Sequence, residues 1–481
     1  YYPEYPIFEA LNNSYVYYDD RKIHNGVYDR SRFYMALEPF TIDSLDNTTT
    51  DGILFDATFH SADIFPVFRQ PLSVMPDYSL GFSTTMPGAP TYKNKGSYTG
   101  TLDLSNQGLH ANGVINYLQS RVTSPDILFF PDEASGRAST FVITENTQGN
   151  GYPSSSGMDN PFNWLPYSNV IKARSRKVPF DMYGAENVIA EGELTYGTQG
   201  LFGTGELRYS TAKHNSVEEG YQFFHRSFVS SDQDFRVKTS LSDEQWAFQM
   251  LSSTAEVDFE KQEGIFDKID TYSTIEFPAN QYLAYMDHAL WDMKKSTVDI
   301  KHNTEGDAYM VSTHPLQDSL DFTAGYARFS LSQSVLEAFE VSEIEVADSR
   351  VLPDSGYVVI RMNADMDPLE RSVIQANRYS KLHAFYDATT RIRGKYNYSA
   401  IGMYDYLDEE GSTWPIKFKS IKPDTTGTTI GMATLEEKDD FFLSPYFGYR
   451  GGVKLIADQK SMFFKGSILI QNECRNLQTT W

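Results

Sequence analysis

The stretch Gly100-Thr101-Leu102-Asp103-Leu104-Ser105-Asn106-Gln107-Gly108-Leu109, followed by Gly113 and Tyr117, decides the fold because it occurs twice. Its pattern returns in Gly192-Glu193-Leu194-Thr195-Tyr196-Gly197-Thr198-Gln199-Gly200-Leu201, followed by Gly205 and Tyr209. The matches share one offset of 92 residues, from 100 to 192 and from 117 to 209. Ser124 and Ser216 keep that offset, and the stretch from Gly452 to Gln459, with Gly466 one place late, reads as a weaker third copy. A repeat of this length points to a fold that grows by adding strands. Gly100, Gln107, Gly108 and Gly113, echoed by Gly192, Gln199, Gly200 and Gly205, define the unit.

Working outward, alternation of apolar and polar residues recurs at 255–259, 297–300, 357–362, 390–398, 415–419 and 466–470. Alternation places one set of side chains in a core and the other in water, as in strands with one solvated face. Turn residues punctuate these runs at 106–108, 149–153, 353–356 and 424–427. The glycines of 192–209 supply positive φ or close backbone approach, in either a hairpin or one coil of a solenoid. One segment reads as a helix: Asp367 before Pro368, with apolar Leu369, Val373 and Ile374, predicts a short helix near 367–378. A weaker helix is expected near 243–251, and long loops at 87–95 and 154–169. No clear linker marks separate globular domains.

The 481 residues include 32 Tyr and 32 Phe, enough to bury a core and favour pleated strands. A net charge of −23 repels phosphate backbones, so nucleic acid is not an expected partner. The single cysteine, Cys474, allows neither an internal disulfide nor a multi-cysteine zinc site. No run of about 18 apolar residues announces a transmembrane helix. The start, Tyr1-Tyr2-Pro3, lacks a signal-peptide pattern and suggests a processed product or a piece of something larger.

The search for chemistry finds no metalloprotease, nucleophile-elbow, phosphate-loop or dinucleotide motif. The nine histidines are scattered, so each is read as structural or exposed, and no cofactor or metal is expected. Acids cluster at Asp365 and Asp367, at Asp408, Glu409 and Glu410, and at Glu436, Glu437, Asp439 and Asp440. A polysaccharide-cleaving β-helix would line such acids along a groove. The plainer reading of 408–411, against weak calcium binding, is an acidic turn. Tyrosines crowd the amino end at Tyr2, Tyr5, Tyr15, Tyr17 and Tyr18. Tyr396, Tyr398, Tyr404 and Tyr406 alternate along two expected strands and could stack on sugars from one face, or pack between layers. A third reading is an apolar trough for acyl chains lined by Leu102, Leu104, Val114, Leu194, Tyr196 and Leu207, or filled by the protein's own side chains.

The repeated segments 100–117, 192–209 and 452–470, together with 124–131, 275–282, 376–386 and 394–408, resemble units of very large, uncharacterised cell-envelope proteins common in Bacteroidota. Their strand–glycine–strand grammar is also similar to OstA-type lipopolysaccharide-transport folds and AsmA/TamB-like bridge proteins. The first resemblance implies a piece of a longer envelope or surface protein, periplasmic or associated with the outer membrane, and brings no catalytic residues with it.

The expectation is an all-β, elongated, repeat-built β-sheet or β-solenoid with one short helix. A Tyr-rich β region would cover 1–97, a β repeat region 98–364, and the helix with further β repeats 365–481. The expected function is a non-enzymatic structural scaffold or bridge of the bacterial envelope or surface, with a lipid-conducting variant. It would work through protein partners or self-assembly. The alternatives are a carbohydrate-binding β module and a β-helix polysaccharide lyase or hydrolase.

Overall fold

A computed structural model describes residues 7–43, 49–149, 151–184, 188–239, 242–270, 274–302, 308–471 and 481. Strand accounts for 63 % of the described residues. Soluble domains carry roughly 20–25 %, so a helix would be the exception here, and none longer than a three-residue 3-10 turn occurs among the described residues. Two units are distinguished: Tyr1–Gln233 with Asp258–Glu260, and Asp234–Val257 with Lys261–Trp481.

In the first unit, Leu80–Thr91, Gly96–Ser105, Gly108–Tyr117, Ser120–Phe129, Ala134–Ile143 and Ser155–Leu165 form an antiparallel meander. Two short strands, Val170–Arg174 and Phe180–Met182, share the next lane and connect to Val188–Gly197, Gly200–Tyr209 and Ala212–Phe223. The loops expected at 87–95 and 154–169 are therefore mostly strand. At the first, a tight turn carries Tyr92, Lys93 and Asn94 at positive φ. The prolines fit because they fall beside a register shift near Thr99, where a missing amide donor costs little.

The echoed glycines occupy matching places. Gly100 lies directly opposite Gly113, and Gly192 directly opposite Gly205. A Cβ on Gly113 would stand 2.1 Å from Thr99 O, and one on Gly192 1.9 Å from Thr204 O. No side chain fits between backbones that close, so the pair must be glycine in both strands. After each pair the next strand is bulged, between Ala111 and Gly113 in one copy and between Gly203 and Gly205 in the other. The serine opposite the second glycine closes the bulge. Ser124 donates to Arg137 O (2.8 Å), and Ser216 donates to Asp232 O (2.6 Å) and accepts from Gly220 N (2.9 Å). The 92-residue echo is thus one structural unit used twice.

The third copy is real but displaced. Gly451, not Gly452, opposes Gly466. Tyr449 folds over Gly451 and donates to Gly452 O at 2.7 Å, as Tyr98 folds over Gly100 and donates to Thr101 O at 2.5 Å. An aromatic ring over a strand glycine restores the contact area that the missing side chain removes. In the second copy Ala190 takes that place, and Tyr221 reaches Gly205 O instead, at 3.2 Å.

The inward row of the first unit is filled by the protein itself. Leu102, Leu104, Leu194, Tyr196 and Leu207 are buried. Val114 is not: Leu104 opposes Leu109, so the inward row of the next strand runs 109, 111, 115 and 117, and Val114 turns outward. Phe65 meets Phe129 at 5.2 Å between ring centroids, Tyr98 meets Phe129 at 5.5 Å and Tyr92 meets Trp164 at 5.1 Å. Most such contacts are edge-on, each adding about 0.5–1.5 kcal/mol beyond burial. The Tyr-rich amino end closes this core. Tyr28 donates to Phe129 O (2.8 Å) and accepts from Leu109 N (3.0 Å), and Phe33 and Phe59 pack edge to face.

In the second unit, successive hairpins alternate between two ladders. Ile275–Phe277, Tyr282–Tyr285, Ala308–Ser312, Asp321–Ala324, Ile344–Val346, Ser349–Leu352 and Leu369–Ala376 form one. Glu263–Asp267, His288–Asp292, Thr297–Lys301, Tyr326–Ser330, Val335–Phe339 and Val358–Ile360 form the other. Phe277 of the first ladder meets Phe329 of the second at 5.1 Å, the packing of two facing layers. From Leu369–Ala376 a meander continues through His383–Gly394, Asn397–Leu407, Thr413–Pro423, Thr429–Leu435, Phe447–Ile456 and Phe463–Ile470.

Both expected helices are strands. Residues 367–378 hold Leu369–Ala376, and 243–251 lie in Ser242–Asp258. In the first, two register shifts separate Leu369 from Ser372 and Ser372 from Ile374. The first spaces the inward residues Leu369 and Ser372 three apart, one helix-like step, before Ile374 and Ala376 resume a period of two. Asp367 caps no helix and instead pairs with Arg361 at 2.7 Å.

Candidate functional site

The four tyrosines singled out by alternation do not make an exposed ladder. Tyr398 is 1 % exposed, and its hydroxyl lies 2.7 Å from Thr429 Oγ1 and 3.1 Å from Ser349 Oγ. Burial pushes that hydroxyl up to about 12. Tyr404 is half-buried, its hydroxyl 3.0 Å from His383 Nδ1 and its ring against Phe385 and Phe418. Tyr406 donates to Leu443 O at 3.1 Å and packs on Phe441. The shared face that alternation implies is the inner one. Tyr396, at the turn between Gly394 and Asn397, is the exposed ring, at 62 %.

Asp408, Glu436, Glu437 and Asp439 serve local structure. Asp408 accepts from Trp414 Nε1 (3.1 Å), Ser412 N (2.8 Å) and Glu410 N (3.0 Å), and these bonds, the indole first, hold its carboxyl below the usual range. Asp439 accepts from Glu436 N at 2.7 Å, closing a capping box around the turn Glu437–Asp439. Lys438 pairs with Glu436 (2.6 Å) and Arg450 with Glu437 (3.2 Å). Among the described residues no group of three or more His, Cys, Asp or Glu is placed to hold a metal ion. Nor is any helix among them long and apolar enough to cross a membrane. Cys474, Tyr2 and Tyr5 lie outside the described residues.

The repeat-defining residues divide in use. Gln107 serves through its backbone: its carbonyl lies 2.7 Å from His24 Nε2 and 3.0 Å from His110 Nε2. Gln199, its echo, lines a cleft of about 550 Å³. That cleft forms where the tip at Leu118 and Gln119 meets the tip at Thr198 and Gln199, beside a loop pinned by the Asn146–Tyr152 bridge. Buried Tyr152 and Tyr196 make its floor, their hydroxyls 2.7 Å apart and their rings at 72°. Gln119 N donates to the Tyr196 hydroxyl at 3.2 Å. Burial first, then the bond to Tyr152, raises the Tyr196 pKa, so its hydroxyl keeps its proton.

Two other clefts carry carboxylates. One of about 330 Å³ includes Glu193 and Glu219, and one of about 430 Å³ includes His24, Asp132 and Glu133. The 550 Å³ cleft is lined by amides, hydroxyls, backbone and Leu118, with no Asp, Glu, Lys, Arg or His among the described residues. Gln199 and the turn around Tyr152 are visible in the sequence, but Gln119, Asn146 and Gln148 carry no signal there. Their convergence depends on how the meander curls.

Fold and cleft together define a class: an all-β protein assembled from repeated glycine-paired hairpins. No protein-family model matches the chain, and no curated protein matches it.

Proposed function

We propose that the protein is a non-catalytic structural scaffold or bridge, assembled from strand units and working with protein partners or copies of itself. The observation that carries this reading is the hairpin with two directly opposed glycines, found at Gly100/Gly113, Gly192/Gly205 and Gly451/Gly466. A repeated structural joint builds extent, whereas catalysis needs convergent groups. The resemblance of segments 100–117, 192–209 and 452–470 to envelope repeat proteins supports a place in the bacterial envelope or at its surface. The lipid-conducting variant draws less support, because the inward rows are packed with the protein's own rings.

The last described strand, Phe463–Ile470, supplies a contact surface. Ile468 and Ile470, on one face of that strand, are 48 % and 50 % exposed, and Phe447, opposite Ile470, is 39 % exposed. Apolar side chains clustered in solvent mark interaction surfaces. The net charge of −23 opposes self-association, so assembly should strengthen as salt is raised. Sedimentation velocity at about 0.5 M salt, where the screening length falls to ~3–8 Å, is expected to show concentration-dependent multimers that Ile468→Lys with Ile470→Lys disperses. A protein that stays monomeric at every concentration, with no partner retained from native extracts, contradicts the scaffold reading.

A further inference from the structure

We propose that the cleft between the 118–119 and 198–199 hairpin tips binds a neutral oligosaccharide, a role beyond the scaffold reading and independent of it. The lining chemistry is specific. Gln119, Asn146, Gln148 and Gln199 present carboxamides and Thr198 a hydroxyl. Carboxamides both donate and accept, as sugar hydroxyls do, so each can meet a hydroxyl in either sense. The Tyr152 and Tyr196 hydroxyls share one hydrogen between them at 2.7 Å, which leaves the other to donate. Leu118, 52 % exposed, offers an apolar ledge for a C–H face of a sugar ring. The volume lies within the range of small-ligand sites, roughly 300–1,000 Å³.

Charge selects against acidic ligands. Among its described residues the cleft holds no cation to pair with a uronate or sulfate, and the chain carries −23 overall. Geometry selects against an extended peptide. Peptides add to open strand edges through their backbone, but here the turn's backbone is already bonded to itself. Asn146 N donates to Tyr152 O at 3.0 Å, Tyr152 N to Asn146 O at 2.9 Å, and Gly151 N to Gln148 O at 3.1 Å. The side chains are what remain to recognise a ligand. This site differs from the tyrosine run at 396–406, whose rings turn inward except Tyr396.

Isothermal titration of the full chain with cellohexaose, maltohexaose, chitohexaose and hexagalacturonate tests the assignment. At least one neutral hexasaccharide should bind, and hexagalacturonate should not. Gln119→Ala, Gln199→Ala and Tyr152→Phe should each weaken binding by about tenfold, the worth of one neutral hydrogen-bonding group. Tyr396→Ala should leave it unchanged. Circular dichroism of the first two variants, whose side chains are exposed, should match the parent. Absence of binding by all three neutral sugars, a preference for hexagalacturonate, or binding lost in Tyr396→Ala but kept in the cleft variants overturns the proposal.

Discussion

Gly451→Ala is expected to destabilise the second unit by about 2–5 kcal/mol, while Gly452→Ala, one residue along the same strand, changes stability by less than about 1 kcal/mol. A Cβ on Gly451 would stand 2.5 Å from Gly466 Cα, 2.6 Å from Lys465 O and 2.7 Å from the Tyr449 hydroxyl. Two of those three neighbours are backbone and cannot step aside. The φ of +145° adds strain for any side chain. At Gly452 the nearest atom to the new methyl is Lys465 O at 3.8 Å, an ordinary contact, and φ is not left-handed. Urea unfolding of both variants reads the difference directly as a shift in midpoint. Equal midpoints would show that the close pair is not where the register places it.

Lowering the pH from 7 to 4.5 is expected to cost the folded protein about 2–3 kcal/mol through His214 alone. The imidazole is fully buried between Tyr209, stacked at 5.4 Å, and Phe228, edge-on at 5.2 Å. Gln233 Oε1 lies 2.9 Å from Nδ1 and the Tyr209 hydroxyl 2.7 Å from Nε2. A carboxamide oxygen only accepts, so Nδ1 carries the proton and Tyr209 donates to Nε2. A second proton would have to displace that bond, and burial pushes the pKa down to about 3 from an ordinary 6.5. The unfolded chain takes that proton below 6.5 and the folded chain does not. Stability is therefore intact above pH 6.5 and falls progressively as pH drops toward 3. His214→Phe removes the titration: its penalty relative to the parent, measured by urea unfolding, should shrink by about 2–3 kcal/mol between pH 7 and 4.5. Parallel pH profiles would mean that His214 is charged in the fold.

The repeat was legible because its glycines have no substitute. Where backbones approach within the reach of a Cβ, sequence and structure carry the same information, and Gly100, Gly113, Gly192 and Gly205 could be matched by offset alone. The third copy was legible only in part. Its glycines are 15 residues apart (466 − 451) where the others are 13 apart (113 − 100 and 205 − 192). The longer turn made Gly452 look like the better match. The helix expected near 367–378 fails for a similar reason, since a bulge at Arg371 replaces one step of two by a step of three, from Leu369 to Ser372. Tyr398, Tyr404 and Tyr406 do share a face, but alternation cannot say which face is wet. The cleft was the least legible element. Gln119 and Gln199 are 80 residues apart, and a curl of the sheet, not a motif, brings their tips together.

Cysteine cross-linking tests the repeated register most directly. In a Cys474→Ser background, Thr101→Cys with Asn112→Cys and Glu193→Cys with Thr204→Cys place thiols at directly opposed positions one repeat apart. Both pairs should oxidise to intramolecular disulfides at similar rates, because opposed strand residues fall within disulfide reach. Thr101→Cys with Val114→Cys, slipped by two residues, should stay reduced. Cross-linking in one copy but not its echo, or equal cross-linking of the slipped pair, would contradict a common β unit recurring at 92 residues.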